Sequence, residues 1–223
     1  HVGARRNIAA HYDLGNAFYA AWLDPTMTYS AARFAVPDEA LATSQVRKFD
    51  QLAQMLDLQS DDHVLEVGCG WGAFAIHAAS QYGCRVTALT ISPSQAEWAR
   101  ERVRAEGLED RVEIRLQDYR DVAGSFDKIA SIEMFEAVGE AYWPTFFRVI
   151  ADRLRPGGRA GLQGITIDDL IDFTPELRAE AEEILDDFVY GPMYTPPTVR
   201  GVDGKQGTIL MPGWVGGANW GGA

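Results

Sequence analysis

The run Val64-Leu65-Glu66-Val67-Gly68-Cys69-Gly70-Trp71-Gly72 narrows the choice of folds more than any other stretch of this chain. A short apolar segment ends in a carboxylate and then in glycine at every second position. Val64, Leu65 and Val67 read as a buried strand of a parallel sheet. The glycines let the chain turn sharply and bring its backbone against a ligand with no side chain between. Ala73 to Ala79 then reads as a helix whose N-terminus faces that turn. A strand, a glycine turn and a helix in this order mark a nucleotide-type cofactor site. The dinucleotide fingerprint G-x-G-x-x-G is not met, because the third glycine comes one residue early and Ala73 holds its place. A phosphate-binding P-loop is excluded, since no Gly-Lys-Ser/Thr follows.

The rest of the chain fits an α/β protein. His1 to Leu23 reads as helical, with Ile8, Tyr12, Phe18, Tyr19 and Trp22 as its apolar bulk, and Asp24-Pro25-Thr26 breaks it. Thr43 to Leu58 reads as an amphipathic helix carrying Val46, Phe49, Leu52, Ala53 and Leu56 on its apolar face. Strands follow at 62–67, 84–90, 111–116, 126–132 and 159–166, with helices at 72–82, 93–107 and 141–154. Pro156-Gly157-Gly158 is expected to close the last helix ahead of its strand. This alternation predicts a Rossmann-like, doubly wound, mostly parallel sheet. The reading divides the chain into an N-terminal helical segment, 1–58, covering the site, a Rossmann-like core, 59–168, and a tail, 169–223. Thr174 to Phe188 reads as a helix, and from Gly191 onward Gly, Pro and Trp dominate, as in turns and short strands.

Composition excludes several function classes. The formal net charge is −12, which argues against nucleic acid as a partner, because phosphate binding needs concentrated Lys and Arg. It argues equally against purely electrostatic adhesion to anionic lipid. The tail is distinct in charge: residues 168–223 hold 3 Lys and Arg against 10 Asp and Glu. No apolar run approaches the roughly 20 residues that span a bilayer. Cys69 and Cys84 make neither a disulfide framework nor a metal cluster, and no metal is expected. A reducing cytoplasm is the expected compartment, and the chain opens on His1, so a preceding piece is expected to be missing.

The spacing Glu66-x-Gly68-x-Gly70-x-Gly72 resembles the first motif of S-adenosylmethionine-dependent methyltransferases. In most of these the second strand ends in an acid that binds the ribose hydroxyls. Here it ends in Thr90 and continues Ile91-Ser92-Pro93-Ser94-Gln95, a T-x-S-x-x-Q element of one particular family. Asn7-Ile8-Ala9-Ala10-His11-Tyr12-Asp13-Leu14-Gly15-Asn16 and Leu23-Asp24-Pro25-Thr26-Met27-Thr28-Tyr29-Ser30 carry that family's N-terminal signature. Leu116-Gln117-Asp118-Tyr119-Arg120 and Glu133-Met134-Phe135-Glu136 fit it too. From about residue 5 to about residue 168 the chain resembles the cyclopropane-fatty-acid synthases and the related mycolic acid modifying enzymes.

The resemblance implies methyl or methylene transfer from S-adenosylmethionine to a cis double bond of a lipid acyl chain. The implied partner is an unsaturated phospholipid or another acyl ester, met by peripheral contact at the inner membrane face. It implies cofactor contacts at Tyr29, Ser30, Glu66, Gly68, Gly70, Gly72, Thr90, Ser92, Gln95, Gln117, Asp118 and Tyr119. It also implies catalytic roles for Glu136, Gln163 and Tyr12, with Glu136 helping to hold bicarbonate as the base. Glu133 reads as structural. The chain departs from the family at three polar positions: Ala31 stands where Cys is frequent, Ala137 where His is, and Gln163 where His is. Ring closure is accordingly less firmly implied than methyl transfer. Family elements that close the acyl tunnel have no match after residue 168, so weak or absent turnover on phospholipid is expected. The tail, from Asp172 to Pro197 and from Gly216 to Gly222, resembles a blade region of pyrroloquinoline-quinone-dependent dehydrogenases, with a junction near residues 168–172. Two other functions stay open, a methyltransferase of soluble small molecules and a non-catalytic fusion whose quinoprotein-derived tail is the working part.

Overall fold

The computed structural model describes residues 15–135, 138 and 142–162. Tyr12, Glu136 and Gln163 lie outside them, as do the expected 174–188 helix and the 168–172 junction. In chain order the elements are α1 (Asn16–Ala20), α2 (Leu41–Leu56), β1 (His63–Val67), α3 (Ala73–Tyr82), β2 (Arg85–Thr90), α4 (Pro93–Ala105), β3 (Val112–Leu116), β4 (Phe126–Ser131), α5 (Trp143–Arg153) and β5 (Leu154–Leu162). The five strands form one sheet in the order β3-β2-β1-β4-β5, every pair parallel. Five strands and the helices between them match the Rossmann-like expectation.

Strand side chains alternate between two cores. Val64, Val86 and Ala88 pack with Phe49, Leu52 and Phe74 from α2 and α3 on one face. Leu65, Val67 and Leu89 point the other way and pack with Phe146 and Ile150 of α5. Both faces of the sheet are therefore covered, as an all-parallel sheet requires. The strand order reverses between β1 and β4, where the chain has finished winding toward β3 and crosses to the other side. A crevice opens outside the carboxyl ends of the strands at such a point.

Three local expectations need correction. The N-terminal helix, read to Leu23, ends at Ala20, because Asp24 folds its carboxylate back onto the backbone N–H and hydroxyl of Thr26 at 3.0 and 2.9 Å, a turn that competes with helix. On α2, Val46 is exposed, and the buried face is Ser44, Gln45, Lys48, Phe49, Leu52, Ala53 and Leu56. Gln45 and Lys48 are buried there because the 28–30 segment supplies partners for them, and Ser44 because it bonds Glu39 and the Ala40 carbonyl. Finally, α5 stops at Arg153 and β5 begins at once at Leu154, so Pro156-Gly157-Gly158 sits inside the strand. Leu154 pairs with Phe126, and pairing resumes at Arg159 with Lys128 after a register shift. Proline lacks the N–H for a ladder bond and Gly157 adopts φ +80°, so the ladder is interrupted there.

Lys128 ties the sheet to α2. From the middle of β4 its ammonium donates to the carbonyls of Leu56 and Asp57 at 2.8 and 3.1 Å, satisfying the orphan C-terminal carbonyls of α2 beyond which Asp57 turns left-handed at φ 56°. Among the described residues no helix is long and apolar enough to cross a membrane. Replacing Lys128 by Met keeps the stem and deletes the donor, so urea denaturation of Lys128→Met should show a loss of about 1–3 kcal/mol.

Candidate functional site

Four segments meet along the carboxyl edge of the sheet. After β1 the backbone N–H groups of Gly68 and Cys69 both donate to the Leu89 carbonyl, at 3.0 and 2.8 Å, which locks the glycine turn onto β2. Gln117, just past β3, donates its N–H to the Thr90 carbonyl at 2.9 Å. On the other side the Ser131 hydroxyl of β4 donates to the Val67 carbonyl at 3.0 Å. The edge is thus stitched from β3 to β4 by hydrogen bonds within the protein.

The glycine turn is shaped by space as well as by dihedral angle. Gly68 has φ +83°, and a Cβ there would lie 2.5 Å from Met134 Cγ. Gly72 has φ +82° as the N-cap of α3, and its Cβ would lie 3.1 Å from that of Ala99 on α4. L side chains rarely adopt such angles, and here they would also collide with neighbours.

The Met27–Ser30 segment forms the facing wall. Tyr29 packs edge-on to Trp71 at 5.6 Å between ring centroids. The Trp71 indole N–H donates to Asn16 Oδ1 at 2.8 Å, so α1 is fixed to the tip of the turn. Arg102 of α4 donates to the carbonyls of Thr26 and Trp71 at 2.7 and 3.2 Å, bracing wall and turn against each other. Between them lies a solvent-open cleft whose lining includes Tyr29, Ser30, Glu66, Gly68, Gly70 and Ile132.

Ser30 is held from behind by α2. Gln45 donates to the Ser30 carbonyl at 2.8 Å, and the Lys48 ammonium donates to the Ser30 hydroxyl. The next residue, Ala31, donates its backbone N–H to the carboxylate of Glu133. Burial pushes the Lys48 ammonium down to about 8, against the attraction of Glu133 and Asp24. Burial likewise pushes Glu133 up to about 7, against the Ala31 hydrogen bond and the Lys48 charge.

The other residues singled out in the sequence fall into two neighbouring clusters. Thr90 Oγ1 donates to Gln95 Oε1 at 2.9 Å and accepts from the Ser92 N–H at 3.2 Å, while Ser92 caps α4 through the Gln95 N–H. One end of the buried Gln95 amide has no partner among the described residues. Asp118 caps a short 3-10 turn, Tyr119–Asp121, and pairs with Arg120 at 2.6 Å. Tyr119 packs on Phe146 at 5.4 Å, and the Gln117 side chain donates to the Asp121 carbonyl at 2.8 Å. Tyr29, Ser30, Glu66, Gly68 and Gly70 therefore share the cleft. Gly72, Thr90, Ser92, Gln95, Gln117, Asp118 and Tyr119 hold the adjoining edge. Sequence reasoning missed Gln45 and Lys48, whose signal was two polar residues on the apolar side of an amphipathic helix.

With this geometry in hand, comparison with known proteins decides the family. The profile of the mycolic acid cyclopropane synthetase family matches residues 2–187. The chain belongs to that family. It is 48% identical over 171 residues to a tuberculostearic acid methyltransferase of Mycobacterium tuberculosis, covering 74% of this chain and 40% of that protein. It is 43% identical over 148 residues to the cyclopropane-fatty-acyl-phospholipid synthase of Escherichia coli, covering 66% of this chain and 37% of the relative. The chain thus spans less than half the length of these two relatives. Among solved structures, a mycolic acid cyclopropane synthase complexed with SAH and CTAB superposes with a TM-score of 0.68 at 30% identity, covering 82% of this chain and 65% of the other. The cyclopropane synthase MmaA2 of Mycobacterium tuberculosis gives 0.69 at 31% identity, covering 81% and 66%. The fold is the Rossmann-like fold of S-adenosylmethionine-dependent methyltransferases.

Within this family member, Glu66 is the most perturbed carboxylate of the cleft. It is buried at the end of β1, and desolvation pushes it up to about 8, offset in part by the Ala75 N–H. Its Oε2 has no hydrogen-bond partner among the described residues. Because its folded value lies above the ordinary 4.5, the native state holds a proton that the unfolded chain releases. Its contribution to stability is complete below about 4.5 and is lost as pH rises toward 8. Glu66→Gln cannot release that proton. Chemical denaturation of the apo protein from pH 5 to pH 8 should show the wild type losing on the order of 3 kcal/mol relative to the variant.

Proposed function

We propose that this chain binds S-adenosylmethionine in the cleft between the glycine turn and the Tyr29–Ser30 wall. Its reaction is methyl or methylene transfer to a cis double bond of a lipid acyl chain. The observation that carries the reading is a buried carboxylate, Glu66, with an unpartnered oxygen beside a glycine turn that leaves no side chain between backbone and ligand. A cofactor with an ammonium and a sulfonium, both cationic, suits a carboxylate that burial alone leaves protonated. When bound, it supplies an electrophilic methyl group. Gly68 and Gly70 would admit it against the backbone, Tyr29 and Ser30 would form the facing wall, and Glu66 as a carboxylate would hold its cationic groups. Gly72 frees the N-terminus of α3, and Thr90, Ser92, Gln95, Gln117, Asp118 and Tyr119 shape the neighbouring edge for the nucleoside half.

For the transfer, Glu136, Gln163 and Tyr12 are the proposed catalytic side chains. A carboxylate at Glu136 stabilises positive charge that develops on the alkene and, with bicarbonate, receives the proton the product must lose. Ala31, Ala137 and Gln163 replace polar groups of the family pattern, which favours methyl or methylene products over ring closure. The M. tuberculosis relative named for tuberculostearic acid methylation supports that choice. An acyl ester of a phospholipid is the proposed substrate, reached by peripheral contact with the membrane.

Two measurements test the reading. Isothermal titration with S-adenosylmethionine should give micromolar binding, and titration near pH 7 in buffers of different ionisation enthalpy should reveal proton release as Glu66 ionises. Glu66→Gln should abolish that release. Absence of any binding to folded protein would overturn the proposal. Incubation with cofactor and vesicles of cis-unsaturated phosphatidylethanolamine should give fatty acids one CH₂ heavier by mass spectrometry. Glu136→Gln should cut the rate by about 100-fold or more.

A further inference from the structure

Resting on the cofactor reading above, we infer that Glu133 and Lys48 are positioning residues that hold the Tyr29–Ser30–Ala31 wall at two consecutive residues and so set the affinity for the cofactor. Neither is among the residues that the family resemblance marks as cofactor contacts. Lys48 reaches the wall from α2 and donates to the Ser30 hydroxyl, with Gln45 one turn earlier on the Ser30 carbonyl at 2.8 Å. Glu133 reaches it from the turn after β4 and accepts the Ala31 N–H. Two consecutive residues of the wall are thus held by two oppositely charged side chains, each buried and each attracted to the other.

The cost of this arrangement indicates what it is for. Glu133 sits at φ +50°, a left-handed conformation that a non-glycine residue adopts only where its surroundings impose it. Its second oxygen, Oε2, has no partner among the described residues, and an incompletely bonded buried carboxylate is expensive. β4 itself ends at Ser131, so Glu133 lies beyond the strand rather than within its ladder. Its bond spans 102 residues of sequence to reach a backbone N–H beside the cleft-lining Ser30. Strain and buried charge are therefore concentrated on the placement of one wall of the cleft.

The test uses the whole chain and S-adenosylhomocysteine as the probe. Glu133→Ala removes the acceptor and should weaken binding about tenfold in isothermal titration. Glu133→Gln still offers an oxygen to the Ala31 N–H and should recover affinity to within about threefold of wild type. Lys48→Met, which frees the Ser30 hydroxyl, should also lose about tenfold. A readout that needs no cofactor accompanies these: the Trp71 indole N–H resonance, reporting through the Tyr29 contact, should move in Glu133→Ala and Lys48→Met while that of Trp98 on α4 stays. If the wild type fails to bind, the cofactor reading falls, and the Trp71 resonance still decides whether the wall is clamped. Folded Glu133→Ala and Lys48→Met proteins with wild-type affinity and unmoved Trp71 would overturn the inference. So would failure of both variants to fold, which would make the pair a strut of the fold.

Discussion

The absence of a side chain at Gly68 and Gly72 is the constraint on which the rest of this structure depends. Gly68 passes so near Met134 that a methyl group would overlap its side chain, and Gly72 lets α3 begin almost in contact with Ala99 of α4. Those two approaches let the backbone leave β1, turn, and enter α3 while still bonded to Leu89 of β2. The turn therefore lies flat along the carboxyl edge, at the one place where the strand order reverses. Cleft, wall and braces are arranged around it.

The polar interior of the site follows from that placement. A cleft at the edge of an otherwise apolar double core must bury carboxylates and amides if it is to hold a charged ligand. Glu66 answers burial by keeping its proton, whereas Glu133 and Lys48 answer it with hydrogen bonds to the wall and with each other's field. Arg102 and Asn16 then lock the wall and turn together through backbone carbonyls and the Trp71 indole. Bonds within the protein thus set wall and turn, and preorganisation of this kind lowers the ordering cost of binding.

Much of the fold was legible because its signals are local. Strand β1 and the turn could be read from nine residues and their spacing, α3 from the apolar run after them, and the alternation of strands and helices followed from periodicity. The errors have equally local causes. Asp24 ends the first helix early by bonding Thr26, and Pro156 interrupts a strand that had already begun at Leu154. On α2 the apolar pattern pointed to Val46, yet the helix buries Gln45 and Lys48 instead, because partners for their polar groups arrive from the 28–30 segment.

By itself the sequence determined the class of sheet, the position of the glycine turn and the family, since glycine spacing and motif order are properties of contiguous residues. Only the tertiary structure decided that Glu66 is buried without a full set of partners, and that Ser30 and Ala31 are gripped by Lys48 and Glu133. Those contacts join segments up to 102 residues apart. Their energetics depend on how far each charge is removed from water, a quantity that exists only once the chain has closed around it.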